Sequence, residues 1–209
     1  MKLLNLTMLS LVGTSLLRSS SAFGPAAFSR TSASANATQR NMFNRLFGAN
    51  TISSEYPIMA EESAMSQKGH GTSEAPVQKE LRWNCDNETA DRICNFNRHY
   101  AEFGGYWEST TFLKSEKGDE PINFYDSVTG ELLFKAPIGR TMDEFVKESK
   151  SHGWPSFRDE EVVWDHVRCL KNGECISDSG THLGHNLPDG SGNRYCINLV
   201  SVAGNSKDE

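Results

Sequence analysis

The residues best able to do chemistry lie close together near the carboxyl end of the chain. His182 and His185 are separated from Cys196 by residues 188–192, a Pro-Asp-Gly-Ser-Gly segment typical of a tight turn. The flanking stretches have the composition of strands, so the turn would make them antiparallel neighbours and bring the imidazoles toward the thiol. A cysteine beside cations such as Arg194 is a candidate nucleophilic thiolate. The alternative is that the cysteine is only a small buried hydrophobic residue.

Three short motifs resemble those of a known family. Residues 180–186 read G-T-H-L-G-H-N and residues 194–198 read R-Y-C-I-N, and they resemble the carboxyl-terminal signature of the peptide-methionine (R)-S-oxide reductases, the MsrB or SelR family. Residues 153–157, G-W-P-S-F, are similar to the family's other short motif. The resemblance covers about residues 100–203. It implies an enzyme that reduces methionine (R)-sulfoxide in proteins or peptides, with free methionine sulfoxide as an alternative substrate.

The resemblance also implies roles for individual side chains. Cys196 is expected to attack the sulfoxide sulfur, and His185 is the preferred proton donor because the sulfoxide oxygen leaves poorly until it is protonated. The wall that accepts the S-methyl group is expected to be Trp154, since only shape and dispersion can recognise that apolar group. The other candidates are His182 beside the site, Asp189 and Arg194 to orient the histidines and hold the thiolate, Asn198 on the Cys196 face of its strand, and Phe157 as a second substrate contact. A purely structural role is the alternative for the turn aspartate and for the asparagine.

The reaction would leave Cys196 as a sulfenic acid, which a second thiol must reduce. Many family members carry a resolving cysteine immediately before G-W-P-S-F, where this chain has His152. Cys169 and Cys175 flank an Asn-Gly turn and are candidate resolving residues, a disulfide pair or two buried thiols. The alternative is direct reduction by an external partner: thioredoxin, glutaredoxin or glutathione. No role follows for the two remaining cysteines, Cys85 and Cys94.

The family's structural zinc is not expected in this chain. Members often bind zinc through two Cys-x-x-Cys pairs, and the corresponding positions here are Asp126, Thr129, Ile176 and Ser179. None is a thiolate, and Cys175 lies one residue out of register, where a strand's side chain faces the other way. The sequence therefore predicts no metal and no other cofactor, only an external thiol reductant.

Composition limits the remaining function classes. A net charge of −6 and a pI near 5.6 give no reason to expect nucleic-acid binding, and 209 residues suffice for one domain with extensions, expected to be a monomer. One alternative is a redox-inert module that binds methionine sulfoxide or peptide without turnover. Another is a secreted β domain stapled by disulfides, although five cysteines cannot all pair within one chain.

The amino-terminal part has the composition of targeting sequences. Residues 1–22 combine Lys2, an apolar run too short to span a bilayer and a small-residue cleavage region, which is typical of a secretory signal peptide. Residues 23–78 are predicted to be a transit-like segment and disordered linker. Together they resemble the bipartite presequences of algal plastid proteins, with plain secretion as the alternative. The catalytic domain is predicted over residues 79–209, without a membrane anchor in the mature protein.

The predicted fold is mainly β: two antiparallel sheets with one or two short helices, as in the family. About seven strands without βαβ alternation favour this class. Besides the two strands around the 188–192 turn, strands are predicted at residues 106–113, 122–126, 131–135, 160–170 and 174–177. A short helix is predicted over residues 90–100, and another begins at Thr141, which with Glu144 has the spacing of a capping box.

Overall fold

The computed structural model describes residues 56–116, 118 and 120–208. The predicted signal peptide and the first part of the transit-like segment, residues 1–55, lie outside the described residues. In the part that the structure describes, no helix has both the length and the apolar character needed to cross a membrane.

Two antiparallel sheets make up the fold, which confirms the predicted mainly β class. The first sheet is a hairpin of β1 (Ile122–Tyr125) and β2 (Leu132–Ala136). The second sheet has five strands in the order β3-β7-β6-β5-β4. Its strands are β3 (Ser156–Phe157), β4 (Val167–Cys169), β5 (Glu174–Ser177), β6 (His182–Asn186) and β7 (Tyr195–Ile197). Strands β4 to β7 form a meander, and β7 also pairs with β3, which lies at the edge of the sheet.

The helices are short. In chain order they are α1 (Asn87–Asp91), which continues as a π-helical turn over Arg92–Phe96, then α2 (Tyr106–Ser109), α3 (Phe112–Ser115) and α4 (Met142–His152). The predicted capping box starts α4, since Thr141 and Glu144 each accept a hydrogen bond from the other's backbone N–H. Gly153 ends the helix with a φ of 88°, in the left-handed region that glycine adopts without strain. This end places the G-W-P-S-F motif directly after α4.

Three local predictions were wrong. The segment predicted as a strand at residues 106–113 forms α2 and α3, because its aromatic residues, Trp107 and Phe112, reach the core from helical turns. The helix predicted over residues 90–100 starts earlier and ends at Phe96. Within residues 160–170 only β4 is a strand, and a 3₁₀ turn precedes it.

The fold also includes residues 56–78, which were predicted to be linker. The amide of Ala60 donates to the carbonyl of Cys169 at 2.9 Å, and the amide of Cys169 donates to the carbonyl of Ile58 at 2.8 Å. Met65 packs against Leu170 and other residues of a small second core. Because backbone hydrogen bonds at a sheet edge require no apolar periodicity, the sequence pattern did not reveal this segment.

An aromatic core joins the two sheets to α4. Phe157 from β3 stacks on Phe134 from β2 with ring centroids 4.4 Å apart, and it also contacts Phe124 and Phe145. All four rings are completely buried. This packing fixes the junction between α4 and β3, and therefore the position of Trp154 between them.

Candidate active site

The hairpin of β6 and β7 brings the histidines beside the cysteine, as the sequence predicts. His185 lies directly opposite Cys196 in the register of the two strands, and Gly184 lies opposite Ile197. The strands approach so closely that a Cβ atom on Gly184 would lie 2.1 Å from the carbonyl oxygen of Cys196. Only glycine fits at that position, which gives a physical reason for the glycine between the two histidines.

A pocket of about 420 Å³ opens over Cys196. Six predicted site residues line it: Trp154, His182, His185, Arg194, Cys196 and Asn198. Side chains without a predicted role in the site complete the wall: His99, Tyr100, Ala101, His152 and Leu187. The structure therefore assembles residues from three separate stretches of chain around one thiol.

The cysteine thiol lies against a guanidinium. Arg194 Nη1 donates to Cys196 Sγ at 2.6 Å, and Ser156 Oγ lies 3.8 Å from the same sulfur. Cys196 is partly exposed, whereas the other four cysteines are buried. A fixed positive charge at this distance stabilises a thiolate. The predicted role of Arg194 in holding the thiolate is consistent with this geometry.

The turn aspartate acts on the arginine, not on the histidines. Asp189 Oδ2 accepts from Arg194 Nε at 3.2 Å and from Arg158 Nη2 at 2.9 Å. Hydrogen bonds from Arg158 and from the backbone of Ser191 lower the pKa of Asp189 to about 2. Among the described residues, neither the aspartate nor Arg194 hydrogen bonds to a histidine of the pocket, and a different carboxylate contacts one of these histidines.

That carboxylate belongs to Glu174, for which the sequence predicts no role. Its Oε1 atom lies 2.8 Å from His182 Nδ1, and both side chains are only 1% exposed. On its other side the same carboxylate accepts two hydrogen bonds at 3.0 Å from Arg98 Nε and one at 2.6 Å from Arg98 Nη2. The sequence marks this residue only as a single acidic side chain at the start of β5, the strand that pairs with the histidine strand β6.

His185 stands between this buried group and the thiol. Its ring centroid is 5.5 Å from that of His182. Burial and then the charge of His182 lower the pKa of His185 below its ordinary value. A lowered pKa makes the imidazolium a stronger acid, which suits a proton donor to a weakly basic oxygen.

The backbone of Glu102, a residue whose side chain is also buried, hydrogen bonds to two of the predicted site residues. Its amide donates to Asn198 Oδ1 at 3.2 Å, and its carbonyl accepts from Trp154 Nε1 at 3.1 Å. Its carboxylate accepts from the amides of Leu199 and Val200 at 2.8 and 3.1 Å. Burial raises the pKa of Glu102 to about 7 against the effect of these two hydrogen bonds. Hydrogen bonds to one residue behind the pocket lining therefore hold both the asparagine and the tryptophan in place.

Four predicted site residues do not line the pocket: Asp189, described above, Phe157, Cys169 and Cys175. Phe157 belongs to the aromatic core, so it supports β3 instead of contacting substrate. Cys169 and Cys175 face each other across β4 and β5 with their sulfur atoms 3.4 Å apart, and both are buried. Cys175 follows Glu174 on the strand, so it points to the opposite face of the sheet.

The residues at the family's zinc positions do not fit a zinc ion. Asp126 is fully buried, and its carboxylate accepts from Thr181 Oγ1 at 2.9 Å, from Ser179 Oγ at 3.1 Å and from the Val128 amide at 2.8 Å. Ile176 is in the small apolar core. One carboxylate surrounded by hydroxyl groups is not the thiolate donor set that zinc takes at structural sites. Hydrogen bonds join β1 to the β5–β6 turn here.

One group of possible metal ligands lies near the pocket mouth among the described residues: Glu148, His152 and Asp189. Both carboxylates in it already form ion pairs with Arg158, and Glu148 also pairs with Arg140. The arginines neutralise the acidic side chains, so this group is an ion-pair network that braces α4 against the β6–β7 turn.

Comparison with known proteins identifies a relative of this chain. No protein-family model matches the chain. A protein of Methanosarcina mazei described as peptide methionine sulfoxide reductase MsrB is 32% identical over 111 residues, which cover 46% of this chain and 78% of the relative.

Proposed function

Since the chain belongs to the peptide methionine sulfoxide reductase MsrB family, we propose that it is an oxidoreductase that reduces methionine (R)-sulfoxide in proteins, with Cys196 as the nucleophile. The observation that carries the proposal is the contact of Arg194 Nη1 with Cys196 Sγ at 2.6 Å, with His185 directly opposite the cysteine. A stabilised thiolate and an acid then lie on the same face of two adjacent strands.

The reaction follows from these positions. The Cys196 thiolate attacks the substrate sulfur while His185 delivers a proton to the sulfoxide oxygen. The net step transfers the oxygen atom to Cys196, which becomes a sulfenic acid, and releases methionine. Trp154 lies on the pocket wall and provides an apolar surface for the S-methyl group.

The pocket rim supports a polypeptide as the substrate. Tyr100 and Leu187 line the pocket and are 50% and 47% exposed. Exposed apolar side chains around a concave site are typical of binding surfaces for peptide segments. We therefore expect methionine sulfoxide within a peptide to be a better substrate than the free amino acid.

The test is turnover by the full-length chain with a dithiol reductant. The (R)-epimer in a peptide should be reduced, the (S)-epimer should not, and Cys196→Ser should abolish turnover. The competing function is a redox-inert module that binds the sulfoxide. A wild-type protein that binds the peptide but gives no sulfenic acid at Cys196, judged by mass spectrometry with a thiol trap, would favour that module.

For regeneration we propose that an external thiol reduces the sulfenic acid directly, with thioredoxin, glutaredoxin or glutathione as the reductant class. The position of Cys169 and Cys175 on the other face supports this route. Oxidation with one equivalent of substrate should consume one free thiol and leave a trapped sulfenic acid at Cys196. Loss of two thiols, with a mapped disulfide from Cys196, would contradict it and favour a dithiol reductant such as thioredoxin.

We also propose that the domain is stable without structural zinc, because the Asp126 hydrogen bonds join the segments that zinc would join. Chelator treatment should leave the Tm unchanged, whereas a protein that depends on structural zinc unfolds when the metal is removed. Asp126→Ala should lower the free energy of unfolding by about 1–3 kcal/mol, since it leaves buried hydroxyl groups unpaired. One zinc per chain by metal analysis would refute the proposal.

A further inference from the structure

We infer that Arg98 is a positioning residue for the reaction, which acts on His182 through the carboxylate of Glu174; the inference rests on the proposed reductase function. Arg98 does not line the pocket, and it lies 84 residues before His182 in the chain. The connection between them is made only by the fold.

The three side chains form a continuous row. The Arg98 guanidinium contacts both oxygens of Glu174, with Nε at 3.0 Å from each and Nη2 at 2.6 Å from Oε2. The remaining contact of the carboxylate, through Oε1, is with His182 Nδ1 at 2.8 Å. Because the glutamate side chain is only 1% exposed, water cannot replace either partner at low cost.

The row fixes which nitrogen of His182 carries a proton. Burial alone would raise the pKa of Glu174, but the hydrogen bonds from His182 and Arg98 outweigh it and lower the pKa to about 2. An ionised carboxylate can only accept hydrogen bonds, so His182 Nδ1 must be the donor. Nε2 is then the ring nitrogen presented to the pocket.

The guanidinium also sets the charge next to the proton donor. With Arg98 in place, the carboxylate is already neutralised and the row has no net charge when His182 is neutral. Without it, the buried Glu174 carboxylate would keep an unbalanced negative charge, and the charge of Glu174 raises the pKa of His185. The other titratable or charged groups that line the pocket are His99, Tyr100, His152, Arg194 and Cys196.

Arg98 has a second ion-pair partner that supplies a matched control. Its Nη1 contacts Glu62 Oε1 at 2.5 Å, and the Glu62 side chain is 67% exposed. Glu62→Gln removes the negative charge of the second partner of the guanidinium and leaves Glu174 unchanged. An exposed pair of this kind contributes little, so the control should behave like the wild type.

The experiment compares Arg98→Met, Arg98→Lys and Glu62→Gln in the full-length chain. Arg98→Met should lower kcat by roughly 10- to 100-fold, as loss of a group that orients a functional histidine does elsewhere, with a much smaller change in KM. Its pH profile of kcat should shift to higher pH, because the unbalanced Glu174 charge raises the pKa of His185. Arg98→Lys should recover part of kcat, because it keeps the charge but not the bidentate geometry. Glu62→Gln should keep the wild-type profile.

Nitrogen-15 NMR of the His182 ring gives a readout independent of turnover. The wild type should show a proton on Nδ1, and Arg98→Met should shift the Nδ1 signal because the Glu174 carboxylate that accepts this proton's hydrogen bond loses its other partner. A wild-type ring protonated at Nε2 alone would overturn the inference, even if Arg98→Met fails to fold. So would an Arg98→Met protein with wild-type kcat, pH profile and ring spectrum. A wild type without reductase activity would refute the proposed function and leave the NMR test of the row intact.

Discussion

The two faces of the five-stranded sheet place cysteines in opposite environments. On the pocket face, Cys196 is partly exposed and contacts Arg194 at 2.6 Å. On the other face, Cys169 and Cys175 contact each other at 3.4 Å and are buried. Burial and the neighbouring Cys169 raise the pKa of Cys175 well above its ordinary value. The two faces of one sheet therefore separate a thiol suited to nucleophilic attack from one whose burial keeps it protonated.

The largest expected effect is on kcat and follows from removing His185, the proposed proton donor on the pocket face. His185→Asn should lower kcat by about 10²- to 10⁴-fold, the usual contribution of a positioned general acid. Because the pKa of His185 is lowered, wild-type kcat should begin to fall at a lower pH than an ordinary histidine would give. This limb should be absent in the variant. His166→Asn is a matched control, since His166 pairs with Asp178 away from the pocket. An unchanged kcat and pH profile in His185→Asn would remove His185 from the mechanism.

Alkylation of the cysteines compares the two faces directly. At neutral pH, iodoacetamide should modify Cys196 at least about tenfold faster than Cys175, because Cys196 is partly exposed beside Arg194, whereas Cys175 is buried and its pKa is raised. Mass spectrometry of tryptic peptides measures both rates in one sample. Equal rates would show that the sheet does not separate the two environments.

Removing the Arg194 guanidinium should reduce the difference in alkylation rate between Cys196 and the buried cysteines. Arg194→Met should slow the alkylation of Cys196 by roughly 10- to 100-fold, because a hydrogen bond to a charged group contributes about 1.5–3 kcal/mol. Arg194→Lys keeps the positive charge, so its Cys196 should be alkylated at a rate between those of the wild type and Arg194→Met. If Arg194→Met reacts as fast as the wild type, the 2.6 Å contact does not stabilise the thiolate.

The smallest expected effect on turnover comes from substituting Cys175 on the buried face of the sheet. Cys175→Ser should leave turnover with a dithiol within about twofold of the wild type, because substitutions away from the reacting groups rarely alter the chemistry. It should lower stability, since the serine hydroxyl replaces a buried thiol. Loss of steady-state turnover with normal release of the first methionine would identify Cys175 as a resolving residue and contradict the separation of the two faces.

Local patterns determined much of the fold and the centre of the site. The capping box at Thr141 and the turns after β1, β4 and β6 depend on neighbouring residues, so their sequences predict them. The same holds for His185 and Cys196, which a short hairpin places opposite each other. Phe157 shows the limit, because its motif predicts proximity to the site but not whether the side chain faces the pocket or the core.

Only the tertiary structure decided which distant groups control that centre. Arg98 and Glu102 come from a segment whose periodicity carries no sign of a site, and they reach the pocket residues by hydrogen bonds across long sequence separations. The strand predicted at residues 106–113 became two helical turns because burial of its aromatic rings, not β propensity, was the larger contribution. Hydrogen bonds and burial between remote segments depend on the whole fold, so a pattern read along the chain does not contain them.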